Sequence, residues 1–134
     1  MKKNNSFRYP KTQRESVNGK RHYVFDKEKL PSVTTILDIT QPAEKRESLA
    51  AWRLRVGEDS AARIMEESAA RGTAMHKILE KYVLEEGYVD QTNVGKQAHN
   101  MAIQVIQSGL SNVTEYYGTE CTLYYPGLYA GQTD

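Results

Sequence analysis

Apolar and polar positions alternate near both ends of the chain and follow a helical spacing between them. Near the N-terminus, Asn18-Gly19 separates two strand-like runs within residues 14–25. Both residues of this dipeptide accept a positive φ, which is what a tight two-residue β-hairpin turn requires. The pattern therefore predicts a small β-hairpin over this segment.

Helical spacing begins just after this hairpin. Ser32 follows a proline and precedes an apolar pair, which predicts the N-cap of a short helix. A longer helix is expected to begin at Pro42 and to end at Gly57. Its apolar positions recur at three- and four-residue spacing, so Trp52 falls in an apolar stripe. This placement favours a core position for Trp52 over a base-stacking platform.

Three further helical runs complete the middle of the chain. Segment 59–68 is one, and a separate helix is expected from the Arg71-Gly72-Thr73 string, capped by its threonine. That helix should run to about Glu86 and stop at Gly87. The last run covers 94–110. Its apolar face consists of Ala98, Met101, Ala102, Val105 and Ile106.

The C-terminal segment returns to strand-like alternation. Residues 113–125 are rich in Tyr, Thr and Val, Pro126-Gly127 predicts a turn, and a second strand begins at Leu128. The order of hairpin, helices and strand hairpin predicts an α/β (α+β) domain, divided into a basic arm and hairpin at 1–29 and a main part at 30–134. Because a two-stranded hairpin is marginal alone, we expect the second hairpin to belong to an incomplete sheet.

Composition adds a charge asymmetry to this picture. The chain has 134 residues, of which 39% are hydrophobic and 26% charged, as is typical of soluble globular proteins. The net charge of +1 does not itself indicate a nucleic-acid binder. Residues 1–29, however, hold nine Lys or Arg against three Asp or Glu. This arm could bind phosphate groups, or it could be a solvated terminus, and the sequence favours neither.

Cysteine usage and hydropathy bear on location. Cys121 is the only cysteine, which excludes a disulfide framework and favours a reducing compartment. Its place in an alternating run favours a small buried hydrophobe over a nucleophile. No apolar run approaches the length of a membrane span, and no signal peptide is visible. We therefore expect a cytoplasmic protein that does not enter a membrane.

Metal-capable side chains occur without a complete metal motif. His76 and Glu80 are four residues apart on a predicted helix and so project from one face. The second histidine of a His-Glu-x-x-His zinc pair is missing. From spacing alone, an ordinary hydrogen-bonded helix histidine is the favoured interpretation and a ligand is the alternative. Asp134 is equally compatible with a simple turn.

Three strings of residues occur in a suggestive order: LPSVTTIL at 30–37, RGTAMHKILE at 71–80 and YAGQTD at 129–134. Across roughly residues 30–134, this order resembles the RecB-like branch of the PD-(D/E)xK nuclease superfamily. It looks most like the phage exonucleases related to the mitochondrial genome maintenance exonuclease. The resemblance implies the N-terminal part of a restriction-endonuclease-like fold. It also implies a metal-dependent DNA exonuclease that hydrolyses phosphodiester bonds during phage DNA metabolism in a bacterial host.

The resemblance also implies roles for individual residues. His76 and Asp134 would be ligands of Mg²⁺ or Mn²⁺, and Glu120 would support the catalytic site. Such a metal would activate a water molecule and stabilise charge on the scissile phosphate. Glu80 would orient His76 or line the DNA path. Contacts with DNA, expected to be single-stranded, are assigned to Ser32, Thr34, Thr35, Arg71 and Glu80.

One part of the family pattern is missing. The third motif of these nucleases, an acidic residue, one spacer and a lysine, is expected on the strand after Asp134 and does not occur in the chain. We therefore expect an incomplete and inactive fragment, or one that a second polypeptide carrying this motif would complement. A non-catalytic DNA-binding module is the alternative. A helical interaction protein with an accidental motif is the third hypothesis.

Overall fold

The computed structural model describes residues 1–134 and confirms a mixed arrangement of helices and small sheets. The helices are α1 Val33–Thr40, α2 Ala43–Val56, α3 Glu58–Val83 and α4 Asn93–Ser108. The strands are β1 Lys2–Lys3, β2 Gln13–Val17, β3 Lys20–Val24, β4 Lys29–Pro31, β5 Glu115–Tyr116, β6 Cys121–Tyr125 and β7 Tyr129–Thr133.

The chain forms two compact units, and the division between them falls inside α2. Unit 1 comprises Met1–Asn4 and Leu49–Thr119, and unit 2 comprises Asn5–Ser48 and Glu120–Asp134. Each unit thus combines segments from distant parts of the sequence. In unit 1, the first residues of the basic arm form β1, which pairs in parallel with β5. This pairing holds residues 2 and 3 in a small sheet.

Unit 2 contains both predicted hairpins. Strands β2, β3 and β4 form an antiparallel sheet in that order, and β6 pairs with β7. Asn18 and Gly19 turn between β2 and β3 with φ values of 53° and 76°. Gly127, with φ 76°, serves the turn between β6 and β7. Both turns follow the sequence prediction, because each needs a residue that tolerates the left-handed region.

The core of unit 2 joins the two sheets. Tyr23 of β3 and its cross-strand neighbour Leu30 are buried against Ala130 of β7, with Phe25 packed beside them. The ring of Phe25 lies 4.6 Å from that of Tyr124, centroid to centroid. These contacts hold β7 close to β3 and β4. Because β6 is paired with β7, they hold the whole C-terminal hairpin in this position.

Helix α1 completes unit 2 and confirms the predicted cap. The Ser32 hydroxyl accepts a hydrogen bond from the Thr35 backbone N–H at 3.1 Å, which satisfies one of the free donors of the first turn. On β7, Gly131 packs against Val33, where an added Cβ would lie 3.3 Å from the valine Cγ2. The absence of a side chain at Gly131 therefore permits the close approach of α1 to β7.

Unit 1 is built around α3 and α4, and its core comprises Ile78, Ala98 and Ala102. The sequence prediction of two separate helices at 59–68 and 71–86 is wrong, because α3 is a single helix of 26 residues. Gly72 lies inside this helix. One interior glycine lowers helix stability by only about 1 kcal/mol, so it does not have to end the helix. Glu85, two residues after the end of α3, adopts the left-handed conformation with φ 57°. The helix therefore ends before Gly87, the residue at which the sequence predicted its stop.

On α4 and at Trp52 of α2, fewer apolar side chains are fully buried than the helical spacing predicted. On α4, Ala98 and Ala102 are fully buried, but Met101 and Val105 are 40% and 37% exposed. The small alanines allow α3 and α4 to approach closely, and the flanking larger side chains remain at the edge. Trp52 is half-buried and is not among the core residues. Cys121 is buried in β6 as predicted.

A compact hydrogen-bonded turn precedes α4. The Asp90 carboxylate accepts hydrogen bonds from the Thr92 hydroxyl at 2.6 Å and from the Thr92 backbone N–H at 3.0 Å. Thr92 caps α4 by accepting from the Gly95 N–H at 2.9 Å. The Asp90 N–H donates to His99 Nε2 at 3.0 Å. These bonds fix how the chain enters the helix.

The turn gives a prediction for acid stability. The hydrogen bond from the Thr92 hydroxyl, supported by the Thr92 N–H, lowers the pKa of Asp90 below its usual 3.8. A carboxyl group with a lowered pKa stabilises the folded state above its unfolded-state pKa and loses that contribution as the pH falls through the folded-state pKa. We expect Asp90→Asn to lower the melting temperature at neutral pH and the difference from wild type to shrink below about pH 4. Thermal unfolding followed across this range checks it, and a difference independent of pH would contradict it.

No helix in the structure combines the length and the apolar character that crossing a membrane requires.

Candidate metal site

Two acidic residues face each other at the open end of the β6–β7 hairpin. Cys121 and Thr133 form the last pair of the antiparallel register, and Glu120 and Asp134 are the residues just beyond this pair. Their carboxylate oxygens come within 4.8 Å of one another. Two negative charges at this separation repel each other. A cation between them would convert this repulsion into attraction.

The backbone at Glu120 adds a second unusual feature. Its φ of 51° lies in the left-handed region, which residues other than glycine rarely occupy outside turns. Holding a non-glycine residue there costs on the order of 1 kcal/mol, and such costs concentrate at functional sites. This conformation sets the direction in which the half-buried Glu120 side chain leaves the hairpin.

A glutamine and an arginine connect to this pair of carboxylates. The Gln132 Nε2 group donates a hydrogen bond to Glu120 Oε2, and the Gln132 Oε1 atom accepts one from the Arg14 guanidinium. Arg14 also lies over the Tyr23 ring, 5.7 Å from its centroid. Sequence reasoning missed both residues. The available signals were the position of Gln132 two residues before Asp134 and the position of Arg14 in the basic arm.

The other predicted ligand and its neighbours lie on α3 in unit 1. His76 and Glu80 are both half-buried and one helical turn apart, so they share a face as predicted. Arg71, one of the predicted DNA contacts, donates a hydrogen bond to Gln97 Oε1 of α4 at 3.3 Å. In this arrangement Arg71 links the two helices of the unit.

The three predicted hydroxyl contacts cluster at the start of α1. The Ser32 hydroxyl lies 2.9 Å from that of Thr34 and 2.8 Å from that of Thr35. Ser32 itself is only 2% exposed and acts as the helix cap, whereas Thr34 is exposed. Of the three, Thr34 therefore presents the most accessible hydroxyl.

The donor chemistry of the hairpin end suits a hard divalent cation. Mg²⁺ and Mn²⁺ prefer oxygen ligands, and Glu120 and Asp134 supply carboxylate oxygens. The only thiol, Cys121, is buried within β6, so a thiolate site of the kind that zinc prefers is not available there. The residues present at this end of the hairpin therefore fit Mg²⁺ or Mn²⁺.

Comparisons of the chain with protein-family models, with curated proteins and with solved structures gave no match.

Proposed function

We propose that this chain carries the metal-binding part of a metal-dependent DNA exonuclease, a hydrolase acting on phosphodiester bonds. The observation that carries the proposal is the opposed pair of carboxylates at the end of the β6–β7 hairpin, with Glu120 in a strained backbone conformation. The ordered motifs that resemble RecB-like nucleases support the same activity. A restriction-endonuclease-like fold is the finer architecture that this proposal includes.

In this proposal, Glu120 and Asp134 hold Mg²⁺ or Mn²⁺, and the resemblance adds His76 as a third ligand. When bound, the cation would supply an activated water and stabilise negative charge on the scissile phosphate. The protein groups have separate tasks. The two carboxylates bind and position the metal ion. Exposed Lys and Arg side chains of unit 2 attract the phosphate backbone of single-stranded DNA. The hydroxyl of Thr34 would add a phosphate contact.

The first test of the proposal measures metal binding and not DNA cleavage, because the acidic-x-lysine motif of these nucleases is absent from residues 1–134. We expect the wild-type chain to bind Mn²⁺ in an electron paramagnetic resonance titration. Changing even the neighbours of metal ligands weakens binding about 10–100-fold. Glu120→Gln and Asp134→Asn should therefore each lower Mn²⁺ affinity by at least about tenfold. His76→Ala should lower it in the same direction.

A matched control is available in the same unit. The Glu28 carboxylate accepts a hydrogen bond from the Gly127 N–H at 3.1 Å, at the other end of the β6–β7 hairpin. Glu28→Gln removes one negative charge from unit 2 without touching the opposed pair, and it should leave Mn²⁺ affinity unchanged. Equal Mn²⁺ binding by wild type, Glu120→Gln and Asp134→Asn would overturn the proposed site.

A non-catalytic DNA-binding module is a second candidate, and one observation favours it. The β2–β3 region presents four exposed cations, Lys11, Arg14, Lys20 and Arg21. They could bind phosphates by charge alone, with an affinity that falls steeply as salt rises. Binding to a single-stranded oligonucleotide that is salt-dependent, independent of Mn²⁺ and unaffected by Asp134→Asn would support this function. Cleavage that requires Mn²⁺ and is lost in Asp134→Asn would support the nuclease.

A further inference from the structure

We propose that Gln132 is a positioning residue for Glu120, and that Arg14 sets the direction of the Gln132 amide. The pair would hold the Glu120 carboxylate in the orientation from which it meets a divalent cation. This inference rests on the proposed function and adds roles for two residues to which neither the motifs nor the resemblance assign one.

The hydrogen-bonding groups allow only one direction for the amide. A guanidinium group only donates hydrogen bonds, and an ionised carboxylate only accepts them. Gln132 lies between one of each, so its oxygen must face Arg14 and its nitrogen must face Glu120. The positive charge of Arg14 polarises the amide and strengthens its donation to Glu120, because linked hydrogen bonds reinforce one another.

Both ends of this connection are anchored in unit 2. Gln132 pairs with Thr122 across the hairpin and follows Ala130 and Gly131, which pack against the core and against α1. Arg14 lies on β2 over the buried Tyr23 ring. The amide is therefore held between two fixed strands. It bonds one specific oxygen of Glu120, Oε2, and so restricts rotation of the carboxylate.

Gln132→Met tests the role of the amide. Methionine keeps a side chain of similar length but removes the donor and the acceptor. We expect Mn²⁺ affinity to fall about tenfold, at the lower end of the 10–100-fold effect of residues that orient metal ligands. Thr122→Val is the matched control, because Thr122 faces Gln132 in the register and valine keeps its branched shape. This control should bind Mn²⁺ like the wild type.

Arg14→Met tests the second link. It keeps an aliphatic stem on β2 and removes the guanidinium, and we expect a smaller loss of Mn²⁺ affinity in the same direction. Because Arg14 acts through Gln132, the double variant should bind Mn²⁺ no more weakly than Gln132→Met alone. Additive losses would show that Arg14 acts independently of the amide and would overturn its role as an orienting residue.

A readout on the metal-free protein separates this inference from the proposed function. We expect the side-chain amide proton of Gln132 that faces Glu120 to resonate downfield in nuclear magnetic resonance spectra, and to move upfield in Glu120→Gln and in Arg14→Met. Absence of Mn²⁺ binding by the wild type would contradict the proposed function. Mn²⁺ binding unchanged in Gln132→Met, or a Gln132 amide resonance indifferent to Glu120→Gln, would overturn the positioning role instead.

Discussion

Tyr23→Ala should lower the free energy of unfolding of unit 2 by about 3–5 kcal/mol, the usual cost of deleting a buried aromatic side chain. Tyr23 is 2% exposed and joins Leu30 and Ala130 in the core of this unit. The truncation would leave a cavity between β3 and β7 and remove the ring beneath Arg14. Because β7 leads directly to Asp134, we also expect weaker Mn²⁺ binding.

Urea unfolding followed by circular dichroism measures this effect. Tyr125→Ala is the control in the same unit, since Tyr125 is 57% exposed and its ring lies 5.9 Å from that of Tyr129, centroid to centroid. Loss of an aromatic pair of this kind costs about 1 kcal/mol. A Tyr23→Ala loss no larger than that of Tyr125→Ala would contradict the core described for unit 2.

The second large effect is expected at Gly95 in the first turn of α4. A Cβ added there would overlap the side chain and the carbonyl oxygen of Asp90, which the Thr92 turn holds in place. Overpacking of this kind typically costs about 1–3 kcal/mol. Gly95→Ala should therefore destabilise unit 1, although alanine is by itself the better helix former.

Gly72 provides the opposite case within the same unit. It lies in the middle of α3, and a Cβ there would meet no atom within 4 Å. Gly72→Ala should raise the free energy of unfolding by up to about 1 kcal/mol, since alanine restricts the unfolded chain and favours helix. Thermal unfolding of both variants is the measurement. Stabilisation by Gly95→Ala would show that the Asp90 turn is not held as described.

The opposed carboxylates depend on the pairing register of a short hairpin. A shift by one residue would turn every side chain of β7 to the other face and separate Glu120 from Asp134. The register is secured by the turn at Gly127 and by Ala130, whose side chain is fully buried in the core of unit 2. Core packing and the geometry of the candidate metal site are therefore coupled through β7.

The sequence by itself determined the features that depend on a few adjacent residues. Asn18-Gly19 and Gly127 predicted two hairpin turns, Ser32 predicted a helix cap, and Gly57 predicted the break between α2 and α3. These predictions succeeded because backbone conformation and capping act over about one turn of chain. Gly72 shows the limit of the same reasoning. A glycine can interrupt a helix, but α3 continues through it because helical residues on both sides continue the hydrogen-bonding pattern.

Tertiary structure alone decided which distant residues meet. Arg14 and Gln132 are 118 residues apart, and no local pattern links them, yet they bond once β2 and β7 lie in one unit. The opposition of Glu120 and Asp134 likewise required a specific register. Helical spacing marked Met101 as a core position, but the close approach of α3 to the small side chains of α4 left it exposed. Burial and long-range pairing depend on what each surface packs against, and that information is not contained in any short stretch of the chain.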